Sequence, residues 1–425
     1  MVWLSYGSSG TDTSLGSIQG QRYASNGSTV GVQFQVNTYT TSRQGYPSVT
    51  ADADGDFVVV WNSDGSSGTD TGSESIQGQR YASDGSTQGA QFQVNTNTTN
   101  DQDQPSVAAE ANGDFVVAWS SYYGSSGTDT SSWNVQGQRY AANGSTQGAQ
   151  FQVNTYTTRN QGPASVAADA DGDLVVVWQS RRSFGTDTCF YCGYSVQGQR
   201  YASDGSTQGA QFQVNTYTLG HQLSPSVALA PDGDFVVAWE SYGSSGTDTI
   251  GYSIQGQRYA SDGSTQSTQF QVNGYTTSWQ RIPAVAADAD GDFVVAWHSY
   301  GSSGTDAAGY SIHGRRYASY GSAQGGEFQV NTFTTSFQYR PSVAADASGD
   351  FVVAWESSGS SGTDTSGWSI QGQRYSVPDA AVPPSVPAMS PATRFALGAA
   401  LLLLGTVVAR AYGIVSRRSR FSRYN

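Results

Sequence analysis

A five-residue string, Gln-Gly-Gln-Arg-Tyr or a near copy of it, returns seven times along the chain, ending at Tyr23, Tyr81, Tyr140, Tyr201, Tyr259, Tyr317 and Tyr375. The steps between those tyrosines are 58, 59, 61, 58, 58 and 58 residues. A fixed period of this length means that one supersecondary unit has been copied, and a unit so small buries its apolar face only against its neighbours. Residues 1–376 are therefore expected to form one array rather than two or three ordinary domains.

Each unit offers four strand-like segments separated by turn signals. In the first complete unit they are a (Pro47 to Ala51), b (Asp56 to Trp61), c (Ser75 to Tyr81) and d (Gln91 to Asn95). Segment b is a continuous apolar run, as a strand covered on both faces requires, whereas c and d alternate. Asp-Gly turns at Asp54-Gly55 and Asp84-Gly85 join a to b and c to d, a strong hairpin signal. Four antiparallel strands in about 58 residues fit a propeller blade; a solenoid coil is shorter and a sandwich domain about twice as long.

Counting sharpens this. The b-segment tryptophan occurs seven times (Trp3, Trp61, Trp119, Trp178, Trp239, Trp297, Trp355) and Phe-Gln-Val-Asn six times, from Phe34 to Phe328. The chain thus opens inside a b segment and closes its repeats after a c segment. The fold expected is an all-β, seven-bladed β-propeller with two incomplete blades. Met1-Val2-Trp3 aligns with Val59-Val60-Trp61, so the recorded start is read as internal, with any export signal upstream.

The 20 basic residues are all arginine, and the 33 acidic residues all precede position 380. Such an acidic array repels phosphate backbones, which argues against nucleic acid as a partner. Cys189 and Cys192 stand alone in Thr-Cys-Phe-Tyr-Cys-Gly; without a second pair they read as a local disulfide or idle thiols.

After the repeats come a Pro-rich linker (377–393) and a segment (394–425) that reads as one transmembrane helix with a basic cytoplasmic tail. Phe395 to Ala409 is uninterrupted by charge, and passing Arg410 to Val415 gives 21 residues, enough to span a bilayer. Arg417, Arg418, Arg420 and Arg423 follow, which places the repeats outside the inner membrane.

The string Val386-Pro387-Ala388-Met389-Ser390-Pro391, followed by the apolar run and the arginines, resembles the C-terminal sorting tails of Gram-negative bacteria, the IPTL-type relatives of the PEP-type signal. It departs from them in Val386, in Met389 and in a longer basic end. The resemblance implies a sorting motif at Val386, Pro387, Ser390 and Pro391, export, transient membrane anchoring and a sorting protease as partner. The repeats themselves, with Gly-Asp-Phe-Val-Val-x-Trp, Gly-Gln-Arg-Tyr and Phe-x-Val-Asn, resemble those of large bacterial secreted or surface proteins, which implies a surface or matrix role.

Two repeated constellations invite a chemical reading. The turn from Asp52 to Asp56 looks like a calcium loop, but its equivalents lose carboxylates freely, so a plain turn is preferred and weak calcium binding is the one cofactor left open. The b-to-c loops keep an aspartate in every copy: Asp12, Asp70, Asp129, Asp187, Asp248, Asp306 and Asp364. These seven are expected to ring one mouth of the propeller. Aromatic residues lie just upstream at Tyr6, Tyr122, Tyr123, Phe184, Tyr242 and Tyr300, and rings beside Asp, Ser and Thr suit sugar stacking. The alternative is that each Asp caps its own loop's N–H groups. The c-segment arginines are expected to pair with acids of neighbouring strands.

His221, His298 and His313 occupy unrelated repeat positions, so no Ser-His-Asp set assembles and no metal site is predicted. The expectation is an exported, non-enzymatic surface or matrix protein that binds an extracellular carbohydrate or protein; the alternatives are a structural spacer and a fragment of a larger exported hydrolase. Residues 181–193, where one copy departs from its siblings, are where an activity would be sought.

Overall fold

The computed structural model describes residues 1–376, apart from residues 7–9, 13–14, 66–67, 71–72, 124–126, 130–131, 182–192, 244–245, 249–250, 302–303, 307–308 and 360–366 of the b-to-c loops. The chain divides into Met1–Ser376 and Val377–Asn425. The second unit, with the linker, sorting motif and apolar run read from the sequence, lies outside the described residues, as do Asp187, Asp364, Phe184, Cys189 and Cys192. Among the described residues no helix is long and apolar enough to cross a membrane.

Seven antiparallel sheets form a seven-bladed β-propeller. Blade 2 has strands a (Gln44–Ala51), b (Phe57–Asp64), c (Glu74–Tyr81) and d (Phe92–Gln93), in that order across the sheet. Blade 1 has three strands, b (Val2–Ser5), c (Ser17–Tyr23) and d (Thr29–Gln35); blade 7 has a (Gln338–Ala345), b (Phe351–Ser358) and c (Trp368–Tyr375). Strand a begins three residues before the expected proline. A bulge there, between Gly45 and Ser48 in blade 2, admits a left-handed residue, Tyr46 at φ 47°.

The core is a series of clusters, each shared by the facing sides of two neighbouring blades. Val58, Val60 and Ile76 of blade 2, for example, pack on Val107, Phe115, Val117 and Trp119 of blade 3. Trp61, Trp119, Trp178, Trp239 and Trp297 are completely buried. Each removes about 150–250 Å² from water, worth roughly 4–6 kcal/mol as an upper figure. Each indole N–H is satisfied by a buried glutamine that opens strand a of its own blade, as Trp61 is by Gln44 Oε1 at 3.0 Å.

The recurring pentapeptide can be assigned residue by residue. In blade 2, Gln77 accepts from Gln91 at 3.0 Å and donates to Ser75 at 2.9 Å. Gly78 is required because a Cβ there would stand 2.5 Å from the Phe92 ring of strand d. Gln79 ties strand c to Gly89 O. Tyr81 stacks on Phe57 at 4.7 Å and meets Phe34 of blade 1 at 5.6 Å.

Arg80 corrects the expectation of acidic partners: it donates to the carbonyls of Ala142 (2.6 Å) and Asn143 (2.7 Å) in the c-to-d turn of blade 3. Arg22, Arg139, Arg200 and Arg258 reach the next blade's turn in the same way. Arg374 of blade 7 lies against Gly27 in the corresponding turn of blade 1, so the ring closes.

Candidate functional site

The aspartates expected to ring a mouth are buried instead. Asp12, Asp70, Asp129, Asp248 and Asp306 are at most 2% exposed. Each carboxylate accepts from the Asn that ends Phe-Gln-Val-Asn, as Asp129 does from Asn154 at 2.9 Å. The backbone N–H of the same aspartate donates to the Gln of that motif, as Asp129 N does to Gln152 Oε1 at 2.8 Å. These side chains latch the b-to-c loop to strand d; they are not presented to a ligand. Tyr6, Tyr123, Tyr242 and Tyr300 are exposed and Tyr122 is half-buried.

The Asp52 turn is likewise self-contained: Asp52 Oδ1 accepts from the N–H groups of Asp54 (3.0 Å) and Asp56 (2.9 Å). Asp56, the acid present in every copy, caps the neighbouring turn through Ser83 N and Gln88 Nε2. Among the described residues no group of three His, Cys, Asp or Glu is arranged to hold a metal ion.

With the invariant residues committed to the ring, the informative positions are those at which the copies differ. Three of them lie level at the b-to-c end of each blade: the residue after the b-strand tryptophan, the pair at the a-strand bulge, and the first residue of strand c. The first two face each other across blade boundaries and change chemistry at each one. Between blades 2 and 3 they are Asn62 and Asp103, hydrogen-bonded at 2.9 Å. Between blades 4 and 5, Gln179 accepts from Ser224 N at 3.1 Å. Between blades 5 and 6 the buried Glu240 takes Arg281 at 2.9 and 3.2 Å and Ile282 N at 3.0 Å. Between blades 6 and 7, His298 meets the Tyr339 ring edge-on at 5.4 Å.

One arc of this mouth carries paired carboxylates. Glu74 starts strand c of blade 2, where most other copies have Tyr or Trp. It is only half-buried, yet burial first and the charge of Asp103 second push its pKa up to about 7, against the hydrogen bond from Asn62. Asp103 is also raised, chiefly by burial, while the Gln104 N–H and then the charge of Arg43 hold it down. Asn62 therefore sits between two carboxyl groups. Asp101 stands beside them and accepts from Ser73. The adjoining surface is aromatic: Tyr122 contacts Tyr123 at 4.3 Å and Trp133 at 4.9 Å.

The opposite arc, on blades 5 to 7, is aromatic and basic. Arg281 lies 4.6 Å over the Tyr252 ring while it pairs with Glu240. His298 is kept neutral, its pKa lowered to about 3 by burial and by the charges of Arg281 and Arg340. Tyr310 bridges His298, Tyr300 and Tyr339 at 5.1, 5.0 and 4.7 Å. Arg43, Tyr46, Gln104, Arg281, Tyr339 and Arg340 all line one cavity.

The sequence reading passed over Glu74, Asn62, Asp103, Glu240 and Arg281. Their signal was visible as departures from the sibling copies, but it lay at single positions rather than in the longer loop at 181–193.

No family model matches the chain, and no curated protein sequence does. Solved structures do resemble it. A protein of unknown function from Dyadobacter fermentans shares 13% identity over 78% of this chain and 94% of its own, with a TM-score of 0.49. An α-L-arabinanase of Penicillium chrysogenum complexed with arabinobiose shares 15% over 79% and 94%, TM-score 0.48. A GH93 α-L-arabinofuranosidase of Fusarium graminearum, also with arabinobiose, shares 14% over 77% and 92%, TM-score 0.45. Likeness at this level transfers no residue role and no substrate.

The expectation of a non-enzymatic protein is corrected at the site itself: it rested on the lack of a Ser-His-Asp set, whereas Glu74 and Asp103 bring two carboxyl groups close enough to raise the pKa of Glu74. Glycoside hydrolases also stand among the similar structures.

Proposed function

We propose that the b-to-c mouth binds and cleaves an extracytoplasmic glycan, and that residues 1–376 are the propeller module of an exported carbohydrate-active hydrolase. The observation that carries this reading is Glu74. Its carboxyl group holds a proton up to about pH 7, next to a second carboxyl, Asp103, and to an aromatic shelf of Tyr122, Tyr123 and Trp133. Two nearby carboxyls cannot both ionise cheaply, so one serves as acid and the other as base.

Glu74 would give its proton to the glycosidic oxygen as the C–O bond breaks. Asp103 would take a proton from the water whose oxygen bonds to the anomeric carbon, so that the two products together gain one water. The rings would stack on sugar faces, and Asn62 would hold the two carboxyls in register. Export and anchoring belong to the same proposal and rest on the apolar run from Phe395 to Ala409 and the arginines after it.

The test is release of reducing ends from a panel of neutral and acidic polysaccharides by the full chain and by Glu74→Gln and Asp103→Asn. Cleavage by the parent protein, reduced at least a hundredfold in both variants with unchanged circular dichroism, is expected. A glycan that binds without being cleaved, or activity that survives both substitutions, overturns the hydrolase reading.

A further inference from the structure

We infer that the aromatic row on blades 5 to 7 is a second glycan site, which holds a neutral polysaccharide chain without cutting it and stands apart from the carboxyl pair of blades 2 and 3. The inference rests on the reading of the b-to-c mouth as a glycan site and gives that glycan its chemical class. Three repeat positions build the row: the last residue of strand b, the first of strand c and, from the next blade, the residue before strand a. Between blades 5 and 6 they are Tyr242, Tyr252 and Trp279, and between blades 6 and 7 Tyr300, Tyr310 and Phe337. Between blades 2 and 3 the same positions hold Asp64, Glu74 and Asp101. Among the described residues, only the boundaries 5–6 and 6–7 are aromatic at all three.

Each trio is a packed unit of the same geometry. The ring centroids of Tyr242 and Tyr252 lie 5.2 Å apart and those of Tyr252 and Trp279 6.5 Å; the counterparts are 5.0 Å for Tyr300 and Tyr310 and 6.2 Å for Tyr310 and Phe337. The trios are joined, because Tyr300 N donates to Trp279 O at 2.8 Å. Gly251 makes room for the Trp279 ring, which a Cβ would meet at 2.6 Å, and Gly309 does so for Phe337 at 3.3 Å. Yet Tyr242, Trp279, Tyr300 and Phe337 are 51, 47, 48 and 42% exposed. None of these four lines the cavity shared by Arg43 and Arg340, and blades 5 and 6 have all four strands, so their exposure owes nothing to the short sheet of blade 1.

Rings in a row, fixed before a ligand arrives, match a polymer whose repeating units each present an apolar C–H face and a hydroxyl edge. Tyr242, Tyr252, Tyr300 and Tyr310 each carry a phenol hydroxyl to meet those edges. The charges beside the row are balanced: Arg281 faces Glu240 at 2.9 Å, Arg340 faces Glu356 at 3.4 Å, and His298 is neutral. The chain as a whole carries a formal charge of −13, which disfavours an acidic polymer. Neither trio contains a carboxyl, and Glu240 and Glu356 are committed to arginines, so the row holds a chain without cutting it.

Native gels of the full chain carrying Glu74→Gln, so that polymer is not cut during the run, test this. Mobility is compared in gels without polymer and in gels with mixed-linkage β-glucan, mannan, galactan or polygalacturonate. Retardation by at least one of the neutral polymers is expected, and Trp279→Ala combined with Phe337→Ala should weaken it at least about tenfold at an unchanged Tm. Trp279→Phe should retain it, because a ring is kept. No retardation by a neutral polymer, retardation by polygalacturonate alone, or equal retardation of the double Ala variant overturns the inference. Cleavage by the parent chain without such retardation would leave the hydrolase reading standing, and retardation without cleavage would overturn that reading alone.

Discussion

Asn62 Nδ2 donates to Asp103 Oδ1 at 2.9 Å across the boundary between blades 2 and 3. Neither residue recurs at its position in any sibling copy: the equivalents of Asn62 are Leu4, Ser120, Gln179, Glu240, His298 and Glu356. A chain whose copies agree about the ring thus differs at its blade boundaries, and there it holds the carboxyl pair. The corresponding contact between blades 5 and 6 is an ion pair. Substituting Arg281→Ala leaves Glu240, 1% exposed in its side chain, without its guanidinium. A loss of about 3–5 kcal/mol is expected in urea unfolding, and the double variant Glu240→Gln, Arg281→Gln should recover part of it.

Gly78 carries the Phe92 ring where a Cβ would stand at 2.5 Å. Gly78→Ala should therefore displace strand d and cost about 1–3 kcal/mol, read as a lowered Tm. Gly89, with nothing within 4 Å but φ at 80°, separates the two causes: Gly89→Ala meets backbone strain alone and should cost about 1 kcal/mol.

Asp129 is a structural latch, and its removal should show that. Asp129→Ala leaves the Asn154 amide without its carboxylate in a buried site, for an expected loss of about 1–3 kcal/mol in stability. Glycan cleavage per folded molecule should be unchanged. A selective loss of activity at full stability would restore the ligand role first expected of the aspartates.

Much of this was legible before the structure. The blade count, the strand order within blades and the two three-stranded sheets follow from where Trp3, Phe34, Trp355 and Tyr375 fall in the repeat, because strand period and turn chemistry are local. The aspartates were misplaced because the b-to-c loop sequence looks the same whether its carboxylate meets water or an asparagine 25 residues away. The bulge that starts strand a was invisible for a similar reason: its left-handed residues are Tyr46, Gln104, Ser224, Ile282 and Arg340, none of which announces a positive φ. The acid pair was missed because Glu74, Asn62 and Asp103 are scattered singly, and only blade-to-blade packing brings them together.

Stability should carry the mark of Glu74 as well. Its pKa rises from 4.5 to about 7 on folding, so between those values the folded chain keeps a proton that the unfolded chain has lost. That contribution is fully present below about pH 4.5 and is lost as pH rises through 7. Tm measured across this window should fall less steeply for Glu74→Gln than for the parent protein.

Whether Glu74 acts as the proton donor is decided by the rate of glycan cleavage measured against pH. With Glu74 as donor, kcat/KM falls on the alkaline side with a midpoint near pH 7, and Glu74→Gln abolishes this limb together with at least about a hundredfold of rate. A parent profile flat from pH 5 to 9, or an alkaline limb that persists in Glu74→Gln, would contradict it.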